Sequence, residues 1–248
     1  MRRIVVPYHH AEPLPKLADA FAAGNAVIVS KGPPGAMLAR LYDQVAARVA
    51  ASDVPVVVAS RDCTTSLAIV AGLQRRAMFP GVIWLDAHGD FHTPHTTRSG
   101  YFGGMALAML AGRAGASLAN AIGLRAIAED ACVLAGARDL DPAERDALDA
   151  SAVRCIDDVA SLADAALPPP PWYVHLDIDV IDPQELPPLR FPAPGGPSAH
   201  AVAGALRALA ARGTIAALGL ACTLTPKGFE QREPLAKIAP LVEAAFVR

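Results

Sequence analysis

The chain has 248 residues, of which 53% are hydrophobic and 19% are charged, so it can bury a substantial core and is not disordered. Its formal net charge of −2 comes without a cluster of basic residues, which excludes an electrostatic surface for nucleic acid. Its apolar stretches are shorter than the roughly 20 residues of a membrane span, and no signal-peptide core precedes Pro7. We therefore expect a cytoplasmic protein without a membrane segment, whose partner is a small molecule.

Short runs of β-branched residues recur along the chain. They are continuously apolar rather than alternating, which is typical of strands buried on both faces of a sheet. In chain order, the predicted strands are residues 4–6, 27–29, 56–58, 82–85, 133–134, 173–178 and 215–220.

Helical patterns lie between several of these strands. The predicted helices are residues 38–51, 66–76, 104–112, 142–150, 198–212 and 234–247, with Asp141 and Ser198 as expected N-caps. Such alternation predicts an α/β protein with a mainly parallel sheet covered by helices. The prolines at 168–171 are interpreted as a stiff surface loop and not as a linker, so we predict a single domain over residues 1–248.

The first cluster of polar side chains follows the predicted strand at 82–85. Asp86, His88 and Asp90 alternate along an extended segment, so their side chains face one side. Hard divalent cations prefer carboxylate oxygens, and an added imidazole shifts the preference toward manganese, iron or zinc. This segment is therefore a candidate set of metal ligands, although a single Asp after a strand is more often a turn or helix cap.

The second cluster lies at the end of the predicted strand at 173–178. Asp177 and Asp179 again alternate, and Asp182 begins a turn. Because ligands collect at the carboxyl ends of strands in open α/β sheets, we expect the two clusters to meet. Carboxylates held together raise one another's pKa unless cations neutralise them. The sequence therefore predicts a centre with two divalent ions, while His175 is interpreted as a hydrogen-bonded strand histidine.

These segments resemble the ureohydrolase superfamily of arginase, agmatinase and formiminoglutamase. The resemblance includes residues 93–100 and 137–142, and its order and spacing hold from residue 55 or so to residue 225. It implies a three-layer α/β/α fold with a mainly parallel sheet of about eight strands. It also implies two manganese ions bridged by a hydroxide, hydrolysis of linear C–N bonds, and a homo-oligomer that is a trimer or a hexamer.

The resemblance also implies a role for each ligand. Asp86 and Asp177 resemble the carboxylates that bridge the two ions. His88 and Asp179 resemble the remaining ligands of one ion, and Asp90 resembles a ligand of the other. A hydroxide between two cations is a nucleophile at neutral pH. Asp90 is also expected to orient it and to relay a proton to the leaving amine.

Cys63 is the first departure from the family, because it stands where a histidine ligand is expected. A thiolate is a softer donor suited to zinc or iron, so Cys63 is either a metal ligand or a buried thiol beside the site. The four cysteines of the chain lie far apart, which fits reduced thiols. A cysteine at this position, together with residues 97–105, is similar to an arginase-like branch that includes hydroxyarginine amidinohydrolase.

Gly103 and Thr223 are two further departures. Gly103 occupies the place of a histidine that transfers protons in arginases. His92 and His95 are the candidate substitutes for this histidine. Alternatively, these loop histidines merely contact solvent. Thr223 replaces an acid that binds the substrate's guanidinium group. Arginine and agmatine are therefore expected to be poor substrates, unless Glu230 or another acid takes over.

We predict a metal-dependent hydrolase of linear C–N bonds in an uncharged or modified amidine, guanidine or non-peptide amide. Two manganese ions are expected, with iron or zinc as alternatives. The principal alternative is a catalytically degenerate relative that binds metal or ligand after losing the family's residues at the positions of Cys63, Gly103 and Thr223. A zinc-dependent deacylase is a third possibility, but single-ion deacylase sites lack the doubled Asp-x-Asp pattern seen here.

Overall fold

The computed structural model describes residues 1–10, 12–13, 26–27, 34–186, 188–221, 223–225, 227–228 and 236–247. The strand expected at 27–29 and the helix expected at 234–247 lie partly outside these residues, and Cys222 and Glu230 lie wholly outside them. Each helix within the described ranges is too short or too polar to span a bilayer.

An eight-stranded parallel sheet organises the fold, with the strand order β4-β1-β5-β10-β9-β6-β7-β8. A separate antiparallel pair, β2 and β3, lies near the N-terminus. The strands are β1 (Arg2–Val5), β2 (Tyr8–His9), β3 (Glu12–Pro13), β4 (Ala26–Val27), β5 (Val56–Ser60), β6 (Gly81–Leu85), β7 (Cys132–Ala135), β8 (Arg154–Ile156), β9 (Trp172–Asp177) and β10 (Ile215–Ala221). The apolar runs thus predicted the strands of the sheet except β8, a three-residue edge strand in which Arg154 and Cys155 are exposed.

The helices are α1 (Pro34–Ala50), α2 (Thr65–Gln74), α3 (Ala106–Leu110), α4 (Ala116–Ile122), α5 (Pro142–Asp149), α6 (Ala199–Arg212) and α7 (Ala239–Ala244). Both expected N-caps are confirmed: Asp141 accepts from the amide of Glu144, and Ser198 from the amide of Ala201. The expected helix at 104–112 is instead a 3₁₀ turn, Gly103–Met105, followed by α3, because Gly104 has a non-helical ψ of 16°. The pattern also missed α4.

The core forms two layers, one on each face of the sheet. Alternate residues along one strand enter different layers: Val56 and Val58 of β5 pack with α1 and α2, whereas Val57 packs in the layer that contains α6 and α7. Burial on both faces explains why the strands are continuously apolar. The α/β fold with a helical layer on each side of a mainly parallel sheet is therefore confirmed.

The sheet also fixes where the polar clusters meet. Strands β5, β10, β9 and β6 are neighbours and parallel, so their carboxyl ends share one edge of the sheet. The segments that follow these strands carry the candidate ligands, which the geometry of the parallel sheet brings together.

Candidate metal centre

Asp86 and His88, directly after β6, form the first group of ligands together with Asp179. Asp86 Oδ1 accepts a hydrogen bond from the His88 amide at 2.8 Å. His88 Nδ1 lies 3.5 Å from Asp86 Oδ1 and 3.2 Å from Asp179 Oδ2. Each of the three residues offers one ligand atom, and these atoms lie within 4.8 Å of one another. This group can hold one divalent cation.

Cys63 and Asp177 belong to a second, fully buried group. Cys63 lies in the turn between β5 and α2, and its Sγ donates to Asp177 Oδ2 at 3.2 Å. Asp177 Oδ1 accepts from the Asp179 amide at 3.0 Å, which fixes the carboxylate at the end of β9. Ligand atoms of Cys63, Asp86, His175 and Asp177 lie within 4.8 Å of one another. Asp86 belongs to both groups, so its carboxylate is placed to be shared.

Asp90 is held in a strained backbone conformation next to the second group. Its φ of +50° is in the left-handed region, which a residue other than glycine adopts at an energetic cost. Its carboxylate is buried, and Oδ2 has no hydrogen-bond partner among the described residues. A buried carboxylate oxygen without a partner is costly, so this atom is suited to binding a cation or a bound water.

Bound positive charge would stabilise both groups of acidic side chains. Burial, followed by the neighbouring carboxylates, raises the pKa of Asp86, Asp90 and Asp177. Burial also raises the pKa of the Cys63 thiol, and the surrounding aspartates add to the effect. For His88, burial acts to lower the pKa, but hydrogen bonds to Asp179 and Asp86 outweigh it and raise the pKa to about 12. Cations would reverse the shifts of the acids by stabilising their charged forms.

Two divalent cations fit this donor set. The candidate ligand atoms are oxygens of buried carboxylates, the imidazole nitrogens of His88 and His175, and the sulfur of Cys63. They form two groups that share Asp86, and Asp90 Oδ2 lacks another partner in the described structure. A single cation would leave several buried carboxylates without neutralisation, which is unfavourable.

His175, in β9, lies next to Asp86 of the candidate metal centre. Its ring stacks on Trp84 at 3.7 Å between centroids, and its Nδ1 lies 3.0 Å from Ser66 Oγ. Tyr173 donates to the same Ser66 oxygen at 2.6 Å, so the Ser66 proton points to Nδ1 and the His175 proton is on Nε2. Nε2 lies 3.9 Å from Asp86 Oδ2. Burial lowers the pKa of His175 to about 4, so the ring is neutral, and its Nε2 has no hydrogen-bond partner among the described residues.

A cavity of about 530 Å³ opens onto both groups of ligands. His92 lines it, and His92 Nε2 lies 3.2 Å from Asp141 Oδ2. His95 is exposed and is not among the described residues that line the cavity. The structure thus brings His92 to the site and leaves His95 at the surface.

Thr223 and Arg190 form another part of the cavity wall. Thr223 Oγ1 donates to the Arg61 carbonyl at 2.9 Å, and the Arg190 amide donates to the Thr223 carbonyl at 2.9 Å. The position without the expected acid is therefore directly next to an arginine. Among the lining residues within the described ranges, Arg190 is the one Lys or Arg.

Sequence reasoning missed three residues of this region: Arg190, Tyr101 and, as a neighbour of Asp86, His175. Tyr101 and Arg190 line the cavity, and the Arg190 guanidinium lies 5.9 Å from the centre of the Tyr101 ring. Arg190 is part of no spacing pattern. Tyr101 entered the sequence analysis only as one of residues 97–105, which carry a resemblance, and was given no role of its own. For His175 the signal was its alternation with Asp177 and Asp179 along β9.

Comparison with known proteins identifies relatives. A sequence model described as the arginase family matches residues 6–232. N(omega)-hydroxy-L-arginine amidinohydrolase of Streptomyces lavendulae is 32% identical over 200 residues, which are 77% of this chain and 71% of that protein. Arginase of Brucella melitensis is 37% identical over 152 residues, which are 51% of this chain and 47% of that arginase. The match thus spans about half the length of the latter relative.

Solved structures show the same fold. Arginase from Bacillus caldovelox superposes with a TM-score of 0.81 at 20% identity, covering 100% of this chain and 98% of that one. Formimidoylglutamase from Bacillus subtilis has a TM-score of 0.75 at 15% identity, covering 98% of this chain and 85% of that one. At these identities the likeness establishes the fold alone.

Proposed function

The chain belongs to the arginase family, and on this premise we propose that it hydrolyses a linear C–N bond of an amidine-type small molecule at a centre of two divalent cations. One observation carries the proposal: two groups of ligand atoms, which share Asp86, meet at the floor of the cavity. Two cations bound there would lower the pKa of a water molecule so that it attacks at neutral pH, and would stabilise charge in the transition state.

Asp86, His88, Asp177 and Asp179 are the proposed ligands, with Cys63 and Asp90 completing the second position. Asp90 Oδ2 is free to accept a hydrogen bond from the attacking water, which would orient the water toward the substrate. His92 is the proposed residue for proton exchange at the leaving nitrogen, since it lines the cavity and is oriented by Asp141. His95, being exposed, would exchange protons only with solvent.

The cavity wall favours a substrate whose reacting group is uncharged. Thr223 is buried, and its hydroxyl is bound to the Arg61 carbonyl, so it presents no negative charge to a guanidinium group. Arg190 adds a positive charge next to it. A neutral amidine, a hydroxylated guanidine or an amide, carried on a molecule with a carboxylate, suits this wall better than a plain guanidinium cation.

The family resemblance favours manganese for both positions, whereas the sulfur of Cys63 favours zinc or iron at the buried position. The cytoplasmic location, the single domain and the trimeric or hexameric assembly expected from the sequence stay predictions.

The test is hydrolysis by purified chain loaded with manganese, iron or zinc, with a panel of guanidino, hydroxyguanidino, formimino and amide compounds. We expect two metal equivalents per chain by elemental analysis. We also expect release of hydroxyurea from a hydroxyguanidine, of formamide or ammonia from a formimino compound, or of ammonia from an amide, and little urea from arginine or agmatine. Two bound metals without any turnover would favour the catalytically degenerate relative, and absence of both metal binding and turnover would refute the proposal.

A further inference from the structure

Gly103 leaves room for the ring of Tyr101. A Cβ built on Gly103 would contact Tyr101 Cε1 and would lie 2.6 Å from its Cζ and 2.7 Å from its hydroxyl oxygen, closer than real Cβ atoms approach. Gly103 is not among the residues with positive φ, so a glycine is required here for space and not for a backbone angle. Any side chain at position 103 would displace Tyr101.

The Tyr101 ring packs between other rings at the cavity wall. It packs against Phe191 at 5.1 Å between centroids and against His10 at 5.8 Å, and its amide donates to Ser99 Oγ at 3.1 Å. Such packing fixes the direction of the phenol before a substrate arrives, and fixed donors cost no reorganisation during reaction. The hydroxyl itself has no hydrogen-bond partner within the described part of the chain.

Tyr101 lines the same cavity as Cys63, Asp90 and Asp177. Burial raises the pKa of Tyr101 above its usual range, and the nearby negative charges of Cys63, Asp62 and Asp90 add to that effect. The phenol is therefore protonated at neutral pH and can act as a hydrogen-bond donor.

We propose that the Tyr101 hydroxyl donates a hydrogen bond to the reacting group of the substrate, in the space that Gly103 keeps open. This inference rests on the proposed function and adds a catalytic residue to it. Attack of water on an amidine or amide carbon develops charge on the attached nitrogen or oxygen, and a neutral donor aimed there stabilises that charge. A neutral donor also suits an uncharged substrate, because such a substrate gains nothing from a cationic donor in its place.

The first test is Tyr101→Phe, which keeps the ring and removes the donor. We expect kcat to fall by roughly 10²-fold, the loss typical of one such donor, with KM, metal content and Tm close to those of the wild type. Unchanged kcat in Tyr101→Phe, while the wild type turns over a compound of the panel, would overturn the inference and leave the proposed function intact. Absence of turnover by the wild type would instead count against the proposed function.

The second test measures the steric coupling and requires neither metal nor turnover. Gly103→Ala is made in the wild type and in Tyr101→Ala, and thermal unfolding of the metal-free chain is followed. We expect Gly103→Ala to lower Tm by about 2–4 °C or more in the wild type and to have little effect once the ring is absent. Equal effects in both backgrounds would overturn the inference.

Gly104→Ala is the matched control, since nothing lies within 4 Å of a Cβ at Gly104. Its effect on Tm is expected to be the same with and without the Tyr101 ring. In the active, metal-loaded protein, Gly103→Ala is expected to reduce kcat about as much as Tyr101→Phe, because displacing the phenol and removing its hydroxyl abolish the same contact.

Discussion

The two sides of the cavity differ in how closely they follow the family. One side keeps the expected acids and imidazole around β6 and β9, and we call it the retained side. It consists of Asp86, His88, Asp141 and Asp179. The other side lies toward β5 and β10 and contains the departures from the family, and we call it the altered side. It consists of Cys63, Tyr101, Arg190 and Thr223. The departures are thus concentrated on one side, which contains the proposed sulfur ligand and the proposed substrate-recognising wall, whereas the proposed carboxylate and imidazole ligands are retained.

The two sides also differ in how strongly their side chains depend on one another. On the retained side each ligand depends on another: His88 contacts Asp86 and Asp179, and the Asp179 carboxylate also accepts from the Ala87 amide at 3.2 Å. On the altered side Arg190 is bound to Thr223 through backbone groups, and the Thr223 hydroxyl binds a backbone carbonyl, so neither side chain depends on one of the metal-site acids. Recognition of substrate can therefore diverge while the metal centre persists.

Removal of Asp177 should have the largest effect, because this carboxylate joins the two sides. Asp177→Ala is expected to lower kcat by roughly 10³-fold or more, since metal activation is worth several kcal/mol, and to reduce bound metal by elemental analysis. The exposed Asp157 offers a control, and Asp157→Ala should retain wild-type metal content. If Asp177→Ala binds two metal equivalents and is active, the proposal that Asp177 is a metal ligand is wrong.

The pH dependence of stability should distinguish the metal-free chain from the loaded one. In the folded metal-free chain, Asp90 and Asp177 have raised pKa values and keep protons that the unfolded chain releases near pH 4. His88, with its pKa raised to about 12, likewise keeps a proton that the unfolded chain loses near pH 6.5. His9 and His175, with pKa values lowered to about 4, act in the opposite direction below pH 6.5. Above pH 6.5 the folded state binds more protons, so the free energy of unfolding falls as pH rises, by up to about 1.4 kcal/mol per pH unit for each group.

This effect is measured by thermal unfolding between pH 6.5 and pH 8, in the presence of chelator or of manganese. We expect Tm to fall with rising pH in chelator. With the metal we expect a much smaller fall or a rise, because cations bind the deprotonated ligands. A Tm in chelator that rises from pH 6.5 to pH 8 would show that Asp90, Asp177 and His88 are not the groups that govern stability.

Cys63→Ser should change metal preference on the altered side alone. Replacing sulfur by oxygen is expected to weaken retention of zinc or iron by about 10-fold and to affect manganese less, since thiolates favour the softer metals. Chelator competition followed by elemental analysis measures the ratio. Cys155→Ser, at an exposed free cysteine, is the control. Identical metal ratios for Cys63→Ser and wild type would make Cys63 a bystander thiol.

Arg190 should give the smallest effect, because the side chain is exposed and its charge is screened. Arg190→Ala is expected to raise KM by about 3–10-fold for substrates that carry a carboxylate, with little change in kcat. Arg190→Lys keeps the charge and should recover most of the affinity. Steady-state kinetics on a substrate and its carboxamide analogue measure the effect. An equal KM change for both compounds would show that Arg190 does not recognise the carboxylate.

Much of the fold could be predicted because its signals are local. Continuous apolar runs identified seven strands of the sheet, and Asp141 and Ser198 identified two helix starts through hydrogen bonds that span three residues. Edge strand β8 escaped because its exposed side chains carry no apolar signal. Helix α4 escaped because it is seven residues long and bounded by glycines, Gly115 and Gly123, whose φ values are 69° and 68°.

The convergence of Asp86, His88, Asp177 and Asp179 followed from sequence, because alternate polar residues at the ends of parallel strands must share one edge of the sheet. The tertiary structure alone decided the rest of the site. The Tyr101 ring filling the space at Gly103, the Arg190 amide bound to Thr223 and the His175 ring behind Asp86 each depend on how side chains and loops pack. Such contacts arise from the packing of segments in three dimensions, and no period or spacing in the chain encodes them.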